Sequence, residues 1–286
     1  MRIAHISDPH FSRFTLHPSQ FLSKRWMGNF NFQLFRKKSY QTAHLWKLPQ
    51  LLTSLNVDVV FITGDFSSTS LDEEFEEGKK FLQAFQDQGL PTHVLPGNHD
   101  SYTRQSQRER RFYDFLASQD LRTKRVECIP LQKGWWYVGI DCAVAAPLFC
   151  AYGIFSVEIE THLIEALSKI PATDRVVLCN HFPLFPAGRS LHDLKRVHAL
   201  QKMLQRFPQV VLYLHGHDHK SYIVDRQSEG FPLTLNSGSC AHVSDGTFFI
   251  VDLFEKECLV KQLLFAQNGN EPAWDIHWQK DYSLKS

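Results

Sequence analysis

Several familiar signatures are missing from this 286-residue chain, and each absence removes a class of function. There is no Gly-x-Ser-x-Gly elbow, so a serine nucleophile of that type is unsupported. Gly-x-x-x-x-Gly-Lys-Ser/Thr is absent too, which excludes nucleotide hydrolysis on a P-loop. Cys-x-x-Cys does not occur. The six cysteines are scattered, as reduced core thiols would be, in keeping with a cytosolic compartment. No run of about 18 apolar residues is present to span a bilayer, and no apolar stretch of signal-peptide type follows Met1. Any membrane contact is therefore expected to be peripheral, on the cytoplasmic side. No Gly/Ser- or Pro-rich linker divides the chain, and no internal repeat or low-complexity tract is visible. The formal net charge of +1 argues against a general polyanion-binding surface.

One absence is local. Between Asp8 and Asp58 there is no acidic residue at all, while the stretch carries Arg13, Lys24, Arg25, Arg36, Lys37, Lys38 and Lys47. Phe11, Phe14, Phe21, Trp26, Phe30, Phe32, Phe35 and Tyr40 are interleaved with those cations. Cations mixed with Trp and Phe are what an interfacial segment uses, the rings entering the headgroup zone while Lys and Arg meet anionic lipid. The same mixture also serves a core-packing insertion with a solvated basic face, or single-stranded nucleic acid. Near-zero net charge ranks nucleic acid last, and no obligate protein partner is indicated.

What the chain does have is a series of short polar blocks, each closing an apolar run. They are Asp8-Pro9-His10, Gly64-Asp65, Gly97-Asn98-His99-Asp100, Asn180-His181 and Gly216-His217-Asp218-His219. Strands are predicted over 3–7, 57–63, 92–95, 135–140, 176–179 and 210–214, then at meander spacing over 222–225, 233–236, 247–253 and 259–264. Helical periodicity covers 39–55, 71–88, 108–117, 157–170 and 191–207. In 71–88, Phe75, Leu82 and Phe85 share a face, and Asp72, Glu73 and Glu74 load the first turn, as the helix dipole prefers. Alternating strand and helix followed by mostly strand predicts an α/β sandwich of two mixed sheets under helices, with an antiparallel C-terminal sheet. Blocks from residue 8 to residue 219 must meet within one folded unit, so residues 1–286 read as one domain with a basic, aromatic insertion at about 9–57.

Carboxylates, an amide and imidazoles without thiolates form a hard-to-borderline donor set, suited to Mn, Fe or Zn. Asp8 and His10 lie two apart, as do His217 and His219, so each pair can face one cavity. Ligands at the carboxyl ends of strands match where open α/β sheets place their sites. Any one block alone would be an ordinary turn or surface histidine. Their conjunction is the inventory of a two-metal hydrolytic site. His5 and His215, inside the flanking strands, read as packed or supporting histidines, and Asp141 reads as structural. Asn236-Ser237-Gly238-Ser239 reads as a plain strand-ending turn.

The order Asp-x-His, Gly-Asp, Gly-Asn-His-Asp, His, Gly-His-x-His resembles the calcineurin-like metallophosphoesterase superfamily, over residues 1 to about 255. The resemblance implies an αββα four-layer sandwich and two divalent cations, with Mn foremost and Fe or Zn as alternatives. Asp8, His10, Asp65 and His219 would hold one ion. Asp65, Asn98, His181 and His217 would hold the other. His99 would face the substrate as general acid or transition-state stabiliser, and Asp100 would orient it. Asn236-Ser237-Gly238-Ser239 equally resembles a turn that the superfamily often has beside its site. Within the superfamily, Ser23 to Asn29 followed by Arg36-Lys37-Lys38 resembles an insertion of bacterial UDP-2,3-diacylglucosamine pyrophosphatases, enzymes of lipid A assembly. That narrower likeness implies cleavage of a nucleotide-linked glycolipid to UMP and a diacylated sugar 1-phosphate. Phe11, Phe14, Phe21, Trp26, Phe30 and Phe32 would then line an acyl cleft, and Arg104 and Arg189 would meet phosphate or uridine. The enzyme alternative is a soluble phosphodiesterase for cyclic nucleotides or small diesters. An alternative of another class is a non-catalytic scaffold on the same fold, which the intact ligand set disfavours.

Overall fold

The computed structural model describes residues 1–13, 42–132, 134–266 and 273–285. Two six-stranded sheets stack face to face. The first has the order β12-β11-β10-β1-β2-β3, from β1 (Arg2–Ile6), β2 (Val59–Ile62), β3 (Thr92–Val94), β10 (Thr247–Leu253), β11 (Glu257–Ala266) and β12 (Ala273–Ser283). The second has the order β4-β5-β6-β7-β9-β8, from β4 (Val126–Pro130), β5 (Trp135–Ile140), β6 (Arg175–Cys179), β7 (Val210–His215), β8 (Ser221–Val224) and β9 (Leu233–Ser237). Both are mixed: β1 runs parallel to β2 but antiparallel to β10, and β7 runs parallel to β9, which is antiparallel to β8. The central strands are covered on both sides, which is why Val59–Ile62 and Val210–His215 read as unbroken apolar runs rather than alternating ones.

Three apolar layers follow. Ile3, Phe61, Tyr137, Val177, Leu212, Leu235 and Phe249 fill the space between the sheets. Outside the first sheet, Leu48 and Leu52 of α1 (Leu48–Ser54) and Phe75, Phe81 and Phe85 of α2 (Asp72–Asp87) cover Ala4, Val60 and Ile62. Outside the second, α6 (Val157–Lys169) contributes Ile159, Leu163 and Leu167, and α7 (Val197–Leu204) contributes Leu200 and Met203. This is the expected helix–sheet–sheet–helix arrangement. Cys142, Cys179, Cys240 and Cys258 are buried and all six cysteines are free thiols.

Several element boundaries differ from expectation. No separate antiparallel sheet forms at the C-terminus: β8 and β9 extend the second sheet, while β10 to β12 complete the first. The periodic stretch 108–117 is split into α3 (Arg104–Glu109) and α4 (Arg111–Phe115), because Arg110 between them adopts a left-handed conformation with φ 53°. The α5 helix (Gln119–Lys124) and strands β4 and β12 had no prediction. The helix predicted over 191–207 is confined to 197–204; the earlier residues form a turn in which the N–H groups of His192 and Asp193 donate to the Arg189 carbonyl, 2.8 and 2.9 Å. Phe11 does not line a cleft. It is buried in the outer core, edge-on to Phe81 with centroids 5.5 Å apart, and cannot face an acyl chain there.

Candidate metal centre

The five polar blocks leave their strands at one end of the sandwich. Asp8 and His10 follow β1, Asp65 follows β2, Asn98 and His99 follow β3, His181 follows β6, and His217 and His219 follow β7. Past β1 and β2 the chains stay paired: the Asp8 N–H donates to the Gly64 carbonyl and His10 N–H to that of Asp65, both at 3.0 Å. Simple alternation does not aim the ligands, however. Asp8, His10, Asp65, His217 and His219 all have positive φ, between 48° and 76°. Non-glycine residues rarely stay in that region unless the surroundings enforce it, and such strain gathers at functional sites.

The donor atoms form two overlapping groups. In the first, Nε2 of His10 and of His219 lie 2.9 Å apart, and His219 Nε2 is 3.1 Å and His10 Nε2 3.6 Å from Asp8 Oδ1. Asp65 Oδ2 completes it at 3.8 Å from His10 Nε2. One donor atom from each of these four residues lies within 4.8 Å of the others. In the second group, Asn98 Oδ1 is 3.2 Å from His181 Nε2 and 2.9 Å from His217 Nδ1, and those two nitrogens are 3.3 Å apart. Asp65 Oδ2 again closes the set, 3.4 Å from His181 Nε2. One carboxylate oxygen thus faces both groups.

The ring orientations of the donors fit divalent cations as well as their placement does. Burial is outweighed at His181 by Asp65 and Asp8, which hold it up to about 9, and a bound ion would displace its proton. His181 Nδ1–H donates to the Thr63 carbonyl at 2.7 Å, which turns the lone pair of Nε2 toward the centre. His217 is held the other way round: its Nε2–H donates to the His192 carbonyl at 3.0 Å and Nδ1 faces inward. Burial alone would raise the Asp65 carboxyl, but His181, His99 and His10 hold it well below the ordinary carboxylate range. Burial likewise opposes ionisation of Asp8, yet His219 and His181 bring it down to about 2. Two buried carboxylates kept ionised beside imidazoles make a pocket that favours positive charge.

Glycine is required where backbone crowds the ligands. A Cβ on Gly97 would stand 2.1 Å from Asp65 Oδ1, and one on Gly216 would stand 1.9 Å from Ser7 Oγ and 2.3 Å from Asp8 Oδ2. The Asn236–Ser239 turn is a brace: Asn236 Nδ2 donates to the Gly216 carbonyl at 3.1 Å and Ser239 Oγ to the Asp8 carbonyl at 2.8 Å. His5 and His215 are fully buried behind the ligands, His5 Nε2 within 3.1 Å of Thr63 Oγ1.

A model of the family described as calcineurin-like phosphoesterase matches residues 1–221, more than half of the chain. The chain belongs to that family. A 3',5'-cyclic-nucleotide phosphodiesterase of Nostoc sp. is 26% identical over 169 residues, 58% of this chain and 57% of the relative. The 3',5'-cyclic adenosine monophosphate phosphodiesterase CpdA of Escherichia coli is 27% identical over 174 residues, 59% of this chain and 56% of the relative. The matched part thus spans a little over half of each relative's length. Among solved structures, a dimetal phosphatase from Danio rerio superposes with TM-score 0.59 at 12% identity, over 100% of this chain and 98% of that one. Purple acid phosphatase PPD1 of yellow lupin gives TM-score 0.62 at 12% identity, over 99% of this chain and 53% of that one. Those two likenesses concern the fold.

The other candidate residues are placed unevenly. His99 stands beside the ligands, its ring edge-on to His10 with centroids 5.0 Å apart. Asp100 does not act on that ring as expected. Its oxygens accept from the N–H groups of Phe66, Ser67 and Gly97 and from Ser67 Oγ, at 2.8 to 3.1 Å, so it ties the Asp65 loop to the Asn98 loop. The His99 ring is fixed instead by Ser68, whose carbonyl accepts from Nδ1 at 2.7 Å. Burial and the nearby Asp65 push Asp100 up to about 7. Arg189 is exposed at the rim, its Nη2 3.6 Å from Asp218 Oδ1, while Arg104 is exposed at the start of α3. Asp141 has the structural role expected, accepting from Arg125 Nη2 at 3.1 Å and from the Ala143 N–H at 2.8 Å. Phe14, Phe21, Trp26, Phe30 and Phe32, and the 23–38 string, lie outside the described residues. Sequence reasoning missed Ser67, Ser68 and Ser70, which hold the His99 loop; their position just after Gly64-Asp65 was the available signal.

Proposed function

We propose that this phosphoesterase is a dinuclear, Mn-dependent phosphodiesterase of cyclic nucleotides or other small diesters. The observation that carries the reading is the single Asp65 oxygen facing both donor groups, 3.8 Å from His10 Nε2 and 3.4 Å from His181 Nε2. Relatives named as cyclic-nucleotide phosphodiesterases support the substrate class. Asp8, His10, Asp65 and His219 would hold one ion, and Asp65, Asn98, His181 and His217 the other. When bound, such a pair activates a water as nucleophile near neutral pH and offsets charge on the phosphoryl oxygens. The chain's own residues do the rest. His99, with Nδ1 committed to Ser68, presents Nε2 to the departing oxygen and can release a proton to it. Arg189, exposed beside Asp218, would meet an anionic group of the substrate.

The narrower reading, hydrolysis of UDP-2,3-diacylglucosamine at the cytoplasmic face of a membrane, rests on the 23–38 string and on the acid-free stretch between Asp8 and Asp58. Among the described residues, no helix is long and apolar enough to cross a membrane. One assay separates the two readings. Mn-reloaded protein is given 3',5'-cyclic AMP, a glycerophosphodiester, an aryl diester, and detergent-dispersed UDP-2,3-diacylglucosamine. Metal-dependent turnover of the small diesters is expected. UMP release from the lipid alone would overturn the proposal in favour of the narrower one, and no metal-dependent turnover would defeat both.

A further inference from the structure

His99 is held from more sides than a merely accessible general acid needs. The plane of Tyr102, three residues on, lies parallel to the imidazole, with centroids 5.5 Å apart and 12° between planes. The edge of the same imidazole meets His10 at 88°, so the ring is wedged between a tyrosine face and a ligand histidine. Ser70, itself at φ 58°, links the backbones of His99 and Tyr102 through one hydroxyl. Its Oγ accepts from the Tyr102 N–H at 2.8 Å and donates to the His99 carbonyl at 2.7 Å. Ser67 Oγ lies 3.1 Å from that carbonyl as well, and the His99 N–H donates to Asp65 Oδ1 at 2.8 Å. Tyr102 is 9% exposed, which leaves it little contact with solvent and makes its ring a wall rather than a docking surface.

We propose that Tyr102 is a positioning residue that locks the His99 ring, so that its Nε2 proton is aimed at the leaving oxygen of the diester. The proposal rests on the phosphodiester reading. The proton accounting is simple. Nδ1–H stays on the Ser68 carbonyl throughout, so the proton that moves is the one on Nε2 of the imidazolium. The attacking water has already given one proton to solvent. As the oxygen of the resulting hydroxide bonds to phosphorus and the bond to the leaving oxygen breaks, the leaving oxygen takes the Nε2 proton. His99 is left as the neutral Nδ1–H tautomer, with its bond to Ser68 unchanged, and then regains a proton from solvent. A flip about the ring axis would swap Nδ1 for a carbon and break the 2.7 Å bond. A swing about the Cα–Cβ bond is what the Tyr102 face prevents. Offset stacking of this kind is enough to favour one rotamer but is easily lost.

Positioning of an acid matters most when the leaving group is poor, because an alkoxide needs the proton and a nitrophenolate does not. The test is therefore a series of phosphodiesters running from p-nitrophenyl through phenyl to alkyl leaving groups, with wild type, Tyr102→Leu and Tyr102→Phe. Tyr102→Leu is expected to lower kcat on the alkyl diester by tenfold or more. Its loss on the p-nitrophenyl diester should be several-fold smaller, with KM little changed, and Tyr102→Phe should restore the wild-type slope. Histidine side-chain ¹⁵N spectra give a readout independent of turnover. At alkaline pH, with the ring deprotonated, His99 should show one fixed Nδ1–H tautomer in wild type and Tyr102→Phe, and averaged signals in Tyr102→Leu. Equal losses across the series, a fixed His99 signal in Tyr102→Leu, or a Tyr102→Phe as impaired as Tyr102→Leu would each overturn the assignment. Wild type that turns over no diester would defeat the underlying reading, while the spectra would still report on the clamp.

Discussion

Replacing Gly97 by alanine probes the centre through one methyl group. Its Cβ would lie 2.1 Å from Asp65 Oδ1, 2.6 Å from the Asp65 nitrogen and 2.7 Å from the Asp65 carboxyl carbon. Ordinary contact begins near 3.4 Å, so the carboxylate must retreat by more than 1 Å or the Asn98 loop must lift away. Neither is cheap, because Oδ1 of that carboxylate accepts the His99 N–H at 2.8 Å and Oδ2 is the atom shared by both donor groups. Overpacking of this kind costs about 1–3 kcal/mol of stability. A misplacement of about 1 Å at a reacting centre costs on the order of 10²-fold in rate. Gly97→Ala is thus expected to fold, to lose about 10²-fold in kcat/KM on an aryl diester, and to retain less than two metal equivalents after dialysis. Elemental analysis, steady-state kinetics and urea unfolding measure the three quantities. Gly89→Ala is the control: it has φ +71° and nothing within 4 Å of the added Cβ, so it carries backbone strain without touching the centre. Gly97→Ala with two bound ions and kcat/KM within threefold of wild type would refute the reasoning.

Two further predictions concern stability. Burial against Phe61 and Tyr137 brings His93 down to about 4, from an ordinary value of 6.5. The unfolded chain therefore binds this proton first as pH falls. The corresponding stability is complete above about 6.5 and is lost between there and about 4, amounting to roughly 3 kcal/mol. His93→Phe should lose less stability than wild type between pH 7.5 and pH 4.5 in urea titrations; equal losses would contradict this. Asp141→Ala strands the Arg125 guanidinium, whose Nε and Nη2 lie 3.2 and 3.1 Å from its oxygens, and should cost about 3–5 kcal/mol. Asp141→Ala combined with Arg125→Met should recover part of that loss in the same assay, and no recovery would show that the charge is not the cause.

The polar blocks were legible because each sits next to its strand, so the sequence alone lined up Asp8, Asp65, Asn98, His181 and His217 at strand ends. Their aim was not legible. Positive φ at Asp8, His10, Asp65, His217 and His219 is imposed by contacts from other segments, such as Ser239 on Asp8 and Asn236 on Gly216. For the same reason Asp100 was misread. Nothing local distinguishes a carboxylate that holds a neighbouring ring from one that accepts backbone N–H groups of a loop more than thirty residues earlier. Among the helices, 71–88 was accurate because its apolar stripe and acidic first turn are local signals. The break at Arg110 and the turn over 189–193 arise from tertiary fit, with His192 recruited by His217. Strands β8 to β11 read correctly as strands while β12 went unpredicted, and which sheet each joins depends on pairing partners that can lie more than two hundred residues away, as in β1 with β10.

The most direct test is anomalous diffraction at the manganese edge from crystals reloaded with Mn. The account predicts two peaks about 3.5–4 Å apart, one among Asp8, His10 and His219, the other among Asn98, His181 and His217, with an Asp65 oxygen touching both. A single peak without Asp65, or no peak among these side chains, would contradict it.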